Sequence, residues 1–86
     1  MTRKLHEIAA EINQDIARKN WSLGAACHAR PYIAAMAELE TLADNYGQDS
    51  ARSIVNYFLA NAGTWRGEVA RRVKKELNTM LKAAKS

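Results

Sequence analysis

A disulfide framework is the first thing this chain lacks. A single cysteine, Cys27, among 86 residues excludes internal cross-links and offers no zinc-ligand spacing. One proline and four glycines leave few obligatory breaks, and β-branched residues are sparse. Both facts speak against an all-β or a disordered chain. Long hydrophobic runs are missing too, since no window approaches the ~18 apolar residues of a membrane span. The opening MTRKLHEIAAEINQD carries a charge every few residues, where a signal peptide needs a continuous apolar stretch. A soluble cytoplasmic protein with no membrane partner is the expectation.

Catalytic signatures are equally scarce. There is no phosphate-cradling Gly loop, nucleophile elbow or metal-ligand cluster. The carboxylate pairs Glu7/Glu11 and Glu38/Glu40 fall on faces expected to be solvated. Cys27 and His28 adjoin, but no nearby acid could orient the imidazole as a base, so a small, buried or half-buried thiol is expected. His6 has no second ligand at i+3 or i+4 and reads as a solvated surface imidazole. No enzymatic activity, metal or cofactor is expected.

What the chain has is 48% hydrophobic residues, many of them Ala. This composition predicts an all-α fold: a single small domain of about four helices in a compact bundle. A first helix is expected over residues 3–19, with Thr2 as N-cap and Leu5, Ile8, Ala9, Ile12 and Ile16 along one seam. An irregular connection over 20–30 follows, with Trp21 and Leu23 as anchors between the breakers Asn20 and Gly24. Pro31 suits the first turn of a second helix over 31–46, and Gly47 is placed for its left-handed C-terminal cap. Asp49 or Ser50 caps a third helix over 50–62, whose apolar face is Ile54, Val55, Phe58, Leu59 and Ala62. A short turn with Thr64 as N-cap opens the fourth helix over 65–83. The expected core is Leu5, Ile8, Ile12, Ile16, Met36, Leu39, Leu42, Ile54, Val55, Phe58, Val69, Val73 and Leu77, with Trp65 beside it.

Charge is polarised. Residues 64–86 hold seven Lys and Arg against Glu68 and Glu76, a net +5, which leaves −1 for residues 1–63. Wound as a helix, TWRGEVARRVKKELNTML puts Trp65, Val69, Val73, Leu77, Met80 and Leu81 on one side. Arg71, Lys74, Lys75, Lys82 and Lys85 gather within about 80° on the other, with Arg72 at the margin. Arg66 points towards the apolar side, where it would snorkel past Trp65 or pair with an acid on another helix. Gly67 in a first helical turn costs about 1 kcal/mol relative to Ala, which suggests a close approach by a packed backbone or a partner.

The candidate contact residues are therefore Arg66, Arg71, Arg72, Lys74, Lys75, Lys82 and Lys85. Phosphate binding, an acidic protein partner and simple surface solvation all use such a face. A helix-turn-helix is conceivable in two registers, around Gly47 and around Gly63, each with misplaced core positions. In the first, Gln48 stands where an apolar residue usually follows the Gly, and Asp44 and Asp49 would repel phosphate. In the second, Leu59 replaces a small residue and Arg72 falls on a core position.

The strings TRKLHEIAAEI, PYIAAM and YGQDSARSIVNYFLANAGTWRGEVARRVKKEL resemble a family of small proteins encoded by tailed bacteriophages. The resemblance covers most of the chain apart from residues 17–30 and transfers no site residue. It implies a phage accessory protein acting inside a bacterial host. The leading expectation is a non-catalytic binder of a host or phage protein, of adaptor, inhibitor or counter-defence type. A nucleic-acid binder using the basic C-terminal helix is the alternative, and a self-assembling homo-oligomer is a third class.

Overall fold

A computed structural model of the chain describes residues 3–83. Five helices, α1 (Leu5–Ala17), α2 (Leu23–Ala26), α3 (Arg30–Met36), α4 (Ala51–Ala60) and α5 (Glu68–Ala83), surround one core. A two-stranded antiparallel sheet of β1 (Asn45–Tyr46) and β2 (Asp49–Ser50) interrupts them. The fold is thus mainly α, with five helices rather than four. A radius of gyration of 11.9 Å matches the ~12 Å of a compact chain of this length.

The largest departure from expectation lies after Met36. The apolar spacing Met36, Leu39, Leu42 suggests a helix to residue 46, yet α3 ends at Met36. Tertiary hydrogen bonds win there. The Leu39 and Glu40 carbonyls accept from the His6 and Leu5 N–H groups, two of the orphan donors at the start of α1. The Asp44 carboxylate accepts the backbone N–H groups of Glu40 and Thr41, closing a local turn. A continued helix would consume these groups internally and deprive the Leu5 and His6 N–H groups of their acceptors. Gly47 does take a positive φ, +62°, but within the two-residue loop of the β1–β2 hairpin rather than at a helix end.

Three caps differ or hold for identifiable reasons. The N-cap position of α1 is Lys4, whose N–H donates to the Glu7 carboxylate; Thr2 lies outside the described residues. Ser50 caps α4, its hydroxyl accepting from Ser53 N–H. Thr64 caps nothing: α5 begins four residues later at Glu68, and the Thr64 hydroxyl accepts from Trp21 Nε1 at 3.1 Å. Gly67 sits just before the helix with φ +112°, and a Cβ there would meet nothing within 4 Å. Its reason is backbone conformation, which L side chains rarely adopt, and not a close approach.

The core is aromatic at its centre. Trp21 and Trp65 stack with ring centroids 5.2 Å apart at 13°, and Phe58 meets each of them edge-on at 6.2 Å. Burial of two Trp side chains contributes about 4–6 kcal/mol of transfer free energy each. Leu5, Ile8, Ile12, Met36, Leu39, Ile54, Val55, Phe58, Val73 and Leu77 are buried around them. Ile16, Leu42 and Val69 are only partly buried against that core. Leu23, expected as an anchor, is 59% exposed, because α2 (capped by Ser22) turns it outward.

Among the described residues, Asp15 is the buried charged residue. It is 2% exposed and accepts from Trp65 Nε1 at 2.7 Å and from the Asn20 amide at 2.8 Å. With Trp21 Nε1 donating to the Thr64 hydroxyl, both Trp N–H groups find partners, and the segments carrying Asp15, Trp21 and Thr64–Trp65 are tied together.

A candidate partner surface on the last helix

Packing divides the cations that sequence placed on one face. Val73, Leu77 and Leu81 turn α5 inward, which sets the azimuth of every other residue. Arg72 reaches α1 and donates to the Glu11 carboxylate. Arg3 bridges the same two helices, with Nη1 2.8 Å from Glu11 Oε1 and Nη2 2.6 Å from Glu76 Oε1. The Glu11 carboxyl is consequently held below the usual carboxylate range, first by the hydrogen bond from Arg72 and then by Arg3. Arg72 is a structural cation.

Lys74 is withdrawn as well. Its Nζ donates to the Trp65 carbonyl at 2.6 Å and lies 6.0 Å from the Trp65 ring centroid. That contact closes the end of the 61–67 connection onto α5. Partial burial lowers the Lys74 ammonium's pKa, and the neighbouring Arg66 charge lowers it further.

Arg66 itself precedes α5 and is exposed. It lines a polar cleft of about 290 Å³ with Asp15, Asn20, Gly67, Glu68 and Val69, so it neither sits on the helix nor belongs to the basic stripe. Lys85 lies outside the described residues.

Arg71, Lys75 and Lys82 remain, all exposed. With Asn78 they follow i, i+4, i+7, i+11 spacing and form a stripe about 16 Å long. The one acid within residues 71–82, Glu76, faces Arg3. Across from the C-terminal half of this stripe, α4 contributes Arg52 and Asn56. These two, with Asn78, Leu81 and Lys82, line a cleft of about 230 Å³. The paired polar residues at i and i+4 on both helices are a sequence-level signal for that cleft, but only the crossing of α4 and α5 brings them together.

The structure removes both helix-turn-helix registers. Around Gly47 the first helix is missing and a hairpin stands in its place. Around Gly63 the connection runs from Asn61 through Gly67, between Ala60 and Glu68, too long for the 3–4-residue turn of that motif.

Elsewhere, Cys27 is exposed rather than buried, and His28 and His6 are exposed. Among the described residues no three His, Cys, Asp or Glu side chains converge to hold a metal, and no helix is long and apolar enough to cross a membrane. Two apolar clefts of about 580 and 450 Å³ lie beside Trp21–Leu23 and beside Leu42–Met80 respectively. No family model, curated protein or solved structure matches the chain.

Proposed function

We propose that this is a non-catalytic accessory protein that docks on another protein through the outer face of α5. Resemblance to tailed-phage proteins supports the cytoplasm of a bacterial host as its setting and a host or phage protein as its partner. The observation that carries the docking surface is the exposed stripe Arg71, Lys75 and Lys82, set apart from the cations already engaged within the fold.

Magnitude favours protein over nucleic acid. The three stripe cations among the described residues would by themselves give a log–log salt slope of about −2.7, against −5 or steeper for typical duplex binders with six or more contacts. Three cations suffice to steer and orient an acidic protein surface, where apolar and hydrogen-bonded contacts supply the rest of the affinity.

Affinity capture from nuclease-treated bacterial lysate tests this reading, comparing wild type with R71E/K75E/K82E. The expected result is a protein retained by wild type and lost from the triple variant. Recovery of nucleic acid alone before nuclease treatment, and nothing after it, overturns the proposal in favour of a nucleic-acid binder.

A further inference from the structure

Resting on that reading, we infer that the cleft between α4 and α5 receives an extended acidic segment of the partner, main chain against Asn56 and Asn78, carboxylates towards Lys82, Lys75 and Arg71. The two asparagines are held alike. Asn56 Nδ2 donates to the Arg52 carbonyl at 3.1 Å and Asn78 Nδ2 to the Lys74 carbonyl at 2.9 Å, each four residues back on its own helix. One amide hydrogen is thereby occupied and the amide plane fixed. Each amide still carries a second N–H and an Oδ1 acceptor. A donor and an acceptor on one rigid plane match the C=O and N–H of a peptide group.

Phosphate does not match this arrangement. A phosphodiester offers only acceptors, so it would take the remaining Asn N–H and leave each Oδ1 without a donor. A polypeptide supplies the N–H groups those oxygens require. Main-chain pairing selects its conformation: a helix consumes its own N–H and C=O groups internally, whereas an extended segment leaves them free for the asparagine amides. Leu81, 8% exposed at the cleft, provides an apolar contact between the polar walls. Charge complementarity sets the sign of the occupant, since Lys82 lies at the cleft and Lys75 and Arg71 continue from it along the same stripe.

The test is a titration of the full-length, ¹⁵N-labelled chain, followed by NMR. The probes are a decapeptide alternating Asp with Ala, the same peptide with Asn for Asp, and a single-stranded DNA decamer. The Asp peptide is expected to shift the side-chain amide signals of Asn56 and Asn78 and the backbone signals of Arg71, Lys75 and Lys82, while the Asn peptide does not. In N56L/N78L, which retains every cation, binding of the Asp peptide should weaken about tenfold, equivalent to ~1.4 kcal/mol. Both residues are exposed, and an unchanged thermal melt of the variant establishes that its fold is intact.

Equal affinity of N56L/N78L and wild type, or no binding of the Asp peptide, overturns the cleft as the peptide site. The docking reading is decided separately by the capture experiment with R71E/K75E/K82E. DNA bound more tightly than the Asp peptide through the same residues overturns the choice of ligand.

Discussion

Asp15 is the residue whose removal tests the architecture most directly. It is nearly fully buried, and its two oxygens serve different segments: Oδ2 takes Trp65 Nε1 and Oδ1 takes the Asn20 amide. Net values for hydrogen bonds to charged groups, about 1.5–3 kcal/mol each, already contain the cost of desolvating the carboxylate. Asn20 is exposed and recovers water, so its share lies at the low end. Trp65 is 0% exposed and its N–H stays orphaned. Asp15→Ala is therefore expected to cost about 2–4 kcal/mol, out of a total near 4–13 kcal/mol for a chain of this length. The melting temperature should fall by about 10–25 °C.

Asp15→Asn should cost less, about 1–2 kcal/mol, because one acceptor remains and Asn20 can turn its own oxygen towards the new amide. Urea titration followed by Trp fluorescence measures both, with near-UV circular dichroism reporting whether the Trp21–Trp65 stack survives. The D15A/W65F double variant adds a second check. Its loss should be smaller than the sum of the two single losses by about 1–2 kcal/mol, since each substitution removes the same bond. A D15A midpoint within about 0.5 kcal/mol of wild type, or strict additivity in the cycle, would refute the view of Asp15 as the polar tie of this core.

Gly67→Ala places a Cβ at φ +112° and should cost about 1–3 kcal/mol in urea denaturation. Gly63→Ala, with open space and no positive φ, should be neutral or stabilising by about 0.5 kcal/mol. Acid sensitivity should depend on Glu11: its carboxyl is depressed by Arg72 and Arg3, so its contribution is complete only above the ordinary carboxyl range, from about pH 5 upward, and is lost as pH falls through the lower folded value. Glu11→Gln should lose less stability than wild type between about pH 5 and pH 2, measured as the shift in urea midpoint. Cys27, being exposed, should react stoichiometrically with a thiol reagent in the native protein, and Cys27→Ser should change stability by less than about 0.5 kcal/mol. A thiol titrated only after denaturation would contradict the outward placement of this residue.

The helical character of the chain and most of its core were legible from local pattern. Ala-rich composition, sparse breakers and the three-and-four spacing of Leu5, Ile8 and Ile12, or of Ile54, Val55 and Phe58, act through single helices and need no knowledge of neighbours. Ser50 was legible as a cap for the same reason. The segment after Met36 was not. Leu39 and Leu42 continue a helical spacing, and nothing local reveals that the Leu39 and Glu40 carbonyls are needed by α1, more than thirty residues earlier in the chain. The start of α5 was misplaced likewise, because Thr64 resembles a cap until Trp21 claims its hydroxyl.

The candidate surface divides along the same line. That α5 is amphipathic and basic on its outer side follows from periodicity alone. Which of its cations are available for a partner is a matter of what packs beside them. Arg72 meets Glu11, Lys74 meets the Trp65 carbonyl, and Arg66 leaves the helix altogether, while Arg71, Lys75 and Lys82 stay in solvent. Periodicity assigns a residue to a side of its own helix. Only the tertiary arrangement decides what stands opposite that side, because contacts such as Glu11 with Arg72 or Asn56 beside Asn78 join positions that no local spacing relates.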